Sequence, residues 1–221
     1  MADYGSPIPP EAVAFRTDRP PALDGTLSDP QWMRAEPLQV NFNPFTLTRS
    51  ALRTQARLLY DAHFLYVGFD CEDTDPWATM KVRDMPLWTE EVVEVFLDPE
   101  GRAERYLELG VNPLNTQYDI LLRVIRSSEG ERRISDCNWD IEGLLSRVRT
   151  RKGGWTVEIA IPFASLTHWR VAIPPRPGDV WKLQLGRAER PNRGDTTWLC
   201  WAPMANTFHQ PDRFGRLVFR G

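Results

Sequence analysis

Apolar and polar positions alternate with a period of two along most of this chain, the spacing of strands that bury one face. Leu107, Leu109 and Val111 alternate with Tyr106, Glu108, Gly110 and Asn112. Trp155, Val157, Ile159 and Ile161 share a face opposite Glu158. Ala56–Tyr60 and Leu65–Cys71 predict a hairpin that turns at Asp61-Ala62-His63. Further strands are expected within 86–99 and over 118–124, 144–148, 181–187, 197–201 and 208–219. Gly153-Gly154 marks a hairpin turn, and Asp29 is placed to cap a short helix that Pro30 starts, with Trp32 facing inward. Phe163–Leu166 reads as a helical turn, and 127–136 as a charged, solvated loop. Gly215, Phe214 and Leu217 are expected to tie the last strand beside the first. About ten strands with turn signals between them, and no long amphipathic helix or repeat, predict an all-β antiparallel sandwich of jelly-roll type with short helical turns. Residues 1–12 are expected to be a loose segment and 13–221 a single domain.

Composition narrows the function classes. The 221 residues are 42% hydrophobic, enough for a sizeable core, and carry a net charge of −3. That balance gives no general attraction to nucleic acid or to anionic lipid. No apolar run is long enough to cross a bilayer as a helix, so no membrane insertion is expected. Nineteen prolines and 14 glycines favour short strands with many turns. Nine tryptophans are many for this length; a core needs some of them, and aromatic rings are also how proteins grip the apolar faces of sugar rings. Cys71, Cys137 and Cys200 lie far apart without metal or redox spacing, which predicts buried free thiols. The three histidines are dispersed, and there is no phosphate loop or nucleophile elbow.

The stretch from Pro86 to Pro99 raises the functional question. Glu94 interrupts an apolar strand, and a charge there must be paired, hydrogen-bonded or wet. Alternation puts Glu94, Glu108, Glu158 and Gln184 opposite the aliphatic face in four strands, one polar row if those strands are neighbours. Asn112 lies near its end, and Arg187 falls on the other parity. Such a row is either a solvated face, its acids paired to Arg123 or Lys182, or a ligand face whose carboxylates and amides accept hydrogen bonds from sugar hydroxyls.

Several stretches, in order, resemble carbohydrate-binding module family 9 and its wider group of family-9-like domains. They are Leu23–Trp32, Trp88–Asp98, Val111-Asn112-Pro113, Gly154–Pro162 and Pro211–Phe219. The resemblance implies a jelly-roll sandwich, binding of sugars such as the reducing ends of β-glucans and xylans, and structural calcium in some members. It implies sugar contacts by Trp88, which opens the acidic strand, by Glu94, and by an aromatic at Phe208. The family's basic residue of the next strand falls near Gly110 and is missing. Its asparagine falls near Ala205, with Asn206 one position away. The resemblance also favours an extracytoplasmic or secreted location.

Three functions follow. The first is non-catalytic binding of an oligo- or polysaccharide. Trp88 and Phe208 would sandwich the ring, Glu94, Glu108 and Asn112 would take its hydroxyls, and His209 is the histidine placed to touch the ligand. A single-sugar site of this kind binds in about the micromolar to millimolar range. No cofactor is required, and structural Ca²⁺ would fall on the Asp70–Asp75 run or the Asp24/Asp29 turn. An associated glycan-active enzyme is the expected companion. The second function is a structural or partner-binding sandwich without sugar affinity. The third is a glycan-active enzyme using Glu94 and Glu108 as its carboxylate pair.

Overall fold

The computed structural model describes residues 8–221. Fifteen strands run in chain order: β1 (Glu11–Arg16), β2 (Leu38–Gln39), β3 (Phe42–Asn43), β4 (Thr48–Arg49), β5 (Thr54–Tyr60), β6 (Phe64–Glu72), β7 (Val92–Asp98), β8 (Arg105–Val111), β9 (Gln117–Ser127), β10 (Gly130–Asp136), β11 (Leu145–Arg151), β12 (Gly154–Pro162), β13 (Val180–Glu189), β14 (Thr197–Cys200) and β15 (Gly215–Arg220). Eleven of them form one hydrogen-bonded path, β10-β9-β8-β7-β13-β15-β1-β5-β6-β12-β11. The path folds over on itself. Apolar residues of β7, β8 and β13 (Val93, Val95, Leu107, Leu109, Leu183, Leu185) meet those of β5, β6 and β12 (Leu58, Val67, Phe69, Val157, Ile159) in one core. This is an all-β sandwich, and among the described residues the helical segments are short 3-10 turns.

Alternation located the hairpins correctly. β5 and β6 pair antiparallel, and Asp61 holds the turn by accepting from His63 N (2.7 Å) and Phe64 N (2.8 Å). Asp29 caps the 3-10 turn Pro30–Arg34 through Gln31 N at 2.9 Å, and Trp32 is buried as expected.

Four expectations change. Strands outnumber the expected ten because two-residue strands such as β2, β3 and β4 carry no legible alternation. β1 pairs parallel with both β15 and β5, so the sheet is not purely antiparallel. β1 also begins at Glu11, inside the segment expected to be loose, while residues 1–7 lie outside the described residues. Finally, most of 127–136, read as a solvated loop, is β10, paired along its whole length with β9. All seven β10 residues are exposed, so neither face left a hydrophobic signature.

Candidate functional site

The site is built around Glu94, in the middle of β7. Its neighbours in register are Gly110 on β8 and Gly186 on β13. Glycine inside a strand marks a place where another group approaches closely. At Gly110 that group is Tyr118 of β9: a Cβ there would lie 2.1 Å from the Tyr118 ring. At Gly186 it is Phe208, whose ring would be 2.9 Å from an added Cβ, with Glu94 Oε2 at 3.1 Å. The two glycines thus seat a tyrosine and a phenylalanine on either side of a buried carboxylate.

Tyr118 Oη lies 2.7 Å from Glu94 Oε1 and 2.8 Å from Glu108 Oε1. A hydroxyl has one proton to donate and otherwise only accepts. Two contacts this short therefore require one of the carboxyl groups to carry a proton and donate it back to the tyrosine oxygen. The electrostatics agree. Burial, and then the neighbouring Glu108, push the Glu94 pKa up to about 8, and burial pushes Glu108 up to about 7. Burial raises Tyr118 well above its ordinary value. Glu94 Oε2 has no hydrogen-bond partner, although the residue is only 2% exposed.

These acids open onto a cavity of about 430 Å³. Its walls are largely apolar: Trp88, Trp198, Phe45, Phe208, Ile120 and Leu122. Trp88 sits in the 3-10 turn Leu87–Thr89 that leads into β7, is 37% exposed, and meets Tyr118 edge-on at 5.2 Å. Trp198 of β14 is half-buried and meets Phe208 edge-on at 5.6 Å. His209 lines the same cavity, its Nδ1 2.9 Å from the Tyr106 hydroxyl. Burial, then Arg133, lower its pKa to about 4, so its ring is neutral near pH 7. Ser135 and Cys137, at the end of the β9–β10 hairpin, and Asn206 complete the rim.

Of the residues singled out in the sequence, Trp88, Glu94, Glu108, Phe208 and His209 converge on this cavity. Asn112 does not. It is fully buried, its amide donates to Met80 O (2.9 Å), and its Oδ1 accepts from Leu114 N (3.0 Å) and Thr116 N (2.9 Å). Its oxygen holds the β8–β9 turn and its amide ties the Met80 segment, and the residue does not line the cavity. The four-membered polar row also breaks up. Glu158 on β12 lies in the other half of the strand path and accepts from Gly25 N (2.6 Å), Leu27 N (3.1 Å) and Trp32 Nε1 (2.9 Å). Gln184 clamps the turn after β14 through Ala202 N and O, both at 2.8 Å. Neither Arg123 nor Lys182 pairs with the row; Lys182 donates instead to Pro211 O at 3.2 Å. Tyr118 and Trp198 were not singled out. Gly110 and Gly186 were the available clue, because their missing side chains predict a close neighbour without naming it.

Among the described residues, two carboxylate clusters could hold a hard cation. Asp73, Glu91 and Glu189 gather in the interior, and Asp84, Asp119 and Asp140 near the surface. Arg83 already bridges the second cluster through Asp119 and Asp140. In the first, Arg187 pairs with Asp73 at 3.1 Å and with Glu189, and it also donates to Thr54 Oγ1 and Glu72 O, both at 2.9 Å. Three acids still exceed one arginine, and Glu91 Oε1 is buried with no partner. Burial pushes Glu91 up to about 9 and Glu189 up to about 7. The all-oxygen donor set fits calcium. Of the residues expected to bind it, Asp73 stands in this cluster, while Asp70, Asp29 and Asp24 are engaged elsewhere. Asp70 pairs with Arg53 and Arg151, Asp29 with Arg19, and Asp24 accepts from Thr26. The three cysteines are free, and Cys137 is exposed at the cavity rim, contrary to the expected burial.

Comparison with known proteins fits this architecture. A search of the curated proteins finds no match. A family 9 carbohydrate-binding module from Caldicellulosiruptor kristjanssonii, in complex with cellotriose, is 16% identical, with a TM-score of 0.70 over 96% of this chain and 94% of that one. The glucose complex of a family 9 module from the same organism is 17% identical, with a TM-score of 0.69 over 95% and 96% of the two chains. A crystal structure from Bacteroides uniformis is 16% identical, with a TM-score of 0.73 over 96% and 99%. At these identities the likeness is one of fold. Residues 23–221 match the family model for carbohydrate family 9 binding domain-like proteins, and the chain belongs to that family.

Proposed function

We propose that this chain is a non-catalytic carbohydrate-binding module whose sugar site is the Trp88–Glu94–Trp198 cavity. One observation carries the reading: exposed and half-buried tryptophans line the same cavity as two carboxyl groups, one of which has an unpartnered oxygen. Sugar rings offer CH faces to aromatic rings and hydroxyls to acceptors, and the cavity supplies both. Trp88 is one platform. Trp198, braced by Phe208, is the second, and Glu94 and Glu108 accept from ring hydroxyls. The family 9 modules solved with cellotriose and with glucose support a sugar as the ligand. The test is calorimetric titration with glucose, cello-oligosaccharides and xylo-oligosaccharides. Saturable binding at micromolar to millimolar affinity, weakened in Trp88→Ala, is expected; a folded protein that binds none of them removes the reading.

Hydrolysis is the weaker use of the same acids. A glycosidase must place a glycosidic oxygen or a water between its two carboxyl groups. Here the Tyr118 hydroxyl fills the space between Glu94 and Glu108.

The family resemblance also implies structural calcium, and the Asp73–Glu91–Glu189 cluster is its proposed seat. These residues would supply the oxygen ligands, and the ion would neutralise the charge that Arg187 alone leaves over. A rise in melting temperature on adding calcium, absent in Glu91→Gln, supports this assignment; an identical response in both proteins removes it.

A further inference from the structure

The ligand cavity is acidic and aromatic, and no cationic side chain lines it; Arg133, which works against the burial that raises the Glu108 pKa, acts from outside the lining. Glu94 and Glu108 are 2% and 5% exposed, and neither lysine nor arginine lines the cavity. His209, its one histidine, is neutral near pH 7. Arg133 donates to the His209 carbonyl at 2.7 Å from an exposed side chain outside the lining. On β8, beside Glu94, stands Gly110, and the Tyr118 ring takes the space a longer side chain would need. The tyrosine satisfies one oxygen of each acid and leaves Glu94 Oε2 bare. Ionising such a buried acid without a partner is costly, and the ionised form is stabilised by a cation brought to it. Around it stand Trp88, Trp198, Phe45 and Phe208, and aromatic faces attract ammonium groups.

We propose, resting on the carbohydrate reading above, that the preferred ligand is an amino-substituted sugar, a glucosamine-type unit whose ammonium group pairs with Glu94 and Glu108 while its ring stacks on the tryptophans. A neutral sugar would leave the acids as they are, sharing a proton through Tyr118. An ammonium group replaces that proton: the carboxyl O–H breaks, the proton leaves to solvent, and both carboxylates stand ionised against the cation. The raised pKa values of Glu94 and Glu108 mean that the free site still holds this proton near pH 7. The other titratable groups facing the pair are Tyr118, Tyr106 and His209, with Arg133 behind. The two tyrosines stay protonated and His209 neutral at that pH, so the released proton comes from the acids.

The test is calorimetric titration at pH 7 with glucosamine, glucose and N-acetylglucosamine, each in two buffers of different protonation enthalpy. Glucosamine should bind about tenfold more tightly than glucose, the size of one desolvated cation–π or charged contact. Its apparent heat should differ between buffers, showing proton release, while the neutral sugars show no such difference. In Glu94→Gln, and separately in Glu108→Gln, the glucosamine-to-glucose ratio should fall towards one, with matching circular dichroism confirming the fold. Glucose or N-acetylglucosamine binding as tightly as glucosamine overturns the inference and leaves the carbohydrate reading standing. No saturation by any of the three, nor by cello-oligosaccharides, overturns both.

Discussion

Glu158 and Glu94 look alike in the chain and end in opposite situations. Each sits mid-strand in an apolar run, on the face opposite the aliphatic core. Glu158 meets the Asp24–Trp32 segment, which brings two backbone N–H groups and an indole N–H to its oxygens. Three donors satisfy the carboxylate, and it becomes the clasp that holds that segment and Trp32 against the sheet. Glu94 meets glycines on both neighbouring strands, a tyrosine hydroxyl shared with another acid, and aromatic rings. One of its oxygens is left bare over a cavity. A buried acid in a strand is therefore not itself a sign of function; what separates structure from site is whether the covering element brings donors.

The strongest way to break the contrast is to remove the clasp. Glu158→Ala leaves two backbone N–H groups and the Trp32 indole without their acceptor, at about 1–3 kcal/mol for each buried unsatisfied group. A loss of about 3–5 kcal/mol in chemical denaturation is expected, with no selective effect on sugar affinity in whatever protein remains folded. A loss below about 1 kcal/mol would place Glu158 with the solvated acids instead. Packing gives the next effect. Gly110→Ala drives a Cβ into the Tyr118 ring, and overpacking of this kind costs about 1–3 kcal/mol. The same change should lower sugar affinity, because Tyr118 orients both acids.

Trp88→Ala should act on the ligand and not on the fold. The side chain is 37% exposed and makes its aromatic contact edge-on with Tyr118. Affinity should drop about tenfold, roughly 1.4 kcal/mol, with stability changed by less than about 1 kcal/mol. A reversed pattern, stability lost and affinity kept, would make Trp88 a core residue.

The smallest effect is in the pH profile. Glu94, Glu108, Glu91 and Glu189 have folded-state pKa values of about 8, 7, 9 and 7, above the ordinary carboxylate value of about 4.3. The folded protein thus holds more protons than the unfolded chain between about pH 4.5 and 9. Their stabilising contribution is complete on the acid side of that window and is lost as pH rises through it. In Glu94→Gln the amide cannot ionise, so the fall in melting temperature between pH 6 and 9 should shrink by roughly 2–4 °C, the size of about 1 kcal/mol in a chain of this length. Glu158→Gln should flatten that slope less: burial raises the Glu158 pKa too, but its native donors oppose the shift. Equal flattening by both variants would erase the difference between the two acids.

Much of the fold was legible because its signals are local. Alternation at 65–71, 107–111 and 155–161 set strand faces, and Asp-Gly, Gly-Gly and Asp-Pro pairs set turns. β10 was not legible, since a strand exposed on both faces alternates nothing. In the site, Trp88 and Glu94 could be read from one stretch, Phe208 from the family pattern, and His209 from its place beside Phe208. Trp198 and Tyr118 could not. A tryptophan in a short strand and a tyrosine in a buried one look like core until the strands are placed side by side.

The sequence by itself determined that this chain is all-β, that Glu94 needs an unusual environment, and which family it belongs to, because strand period, turn chemistry and motif order are properties of neighbours along the chain. Only the tertiary structure decided which acids are clasps and which face a cavity. It consumed Asn112 and Gln184 in loop hydrogen bonds and set Tyr118 where Gly110 leaves room. The physical reason is that the state of a buried polar group depends on the donors that surround it, and for Glu94 and Glu158 those come from elements up to 133 residues away in the chain.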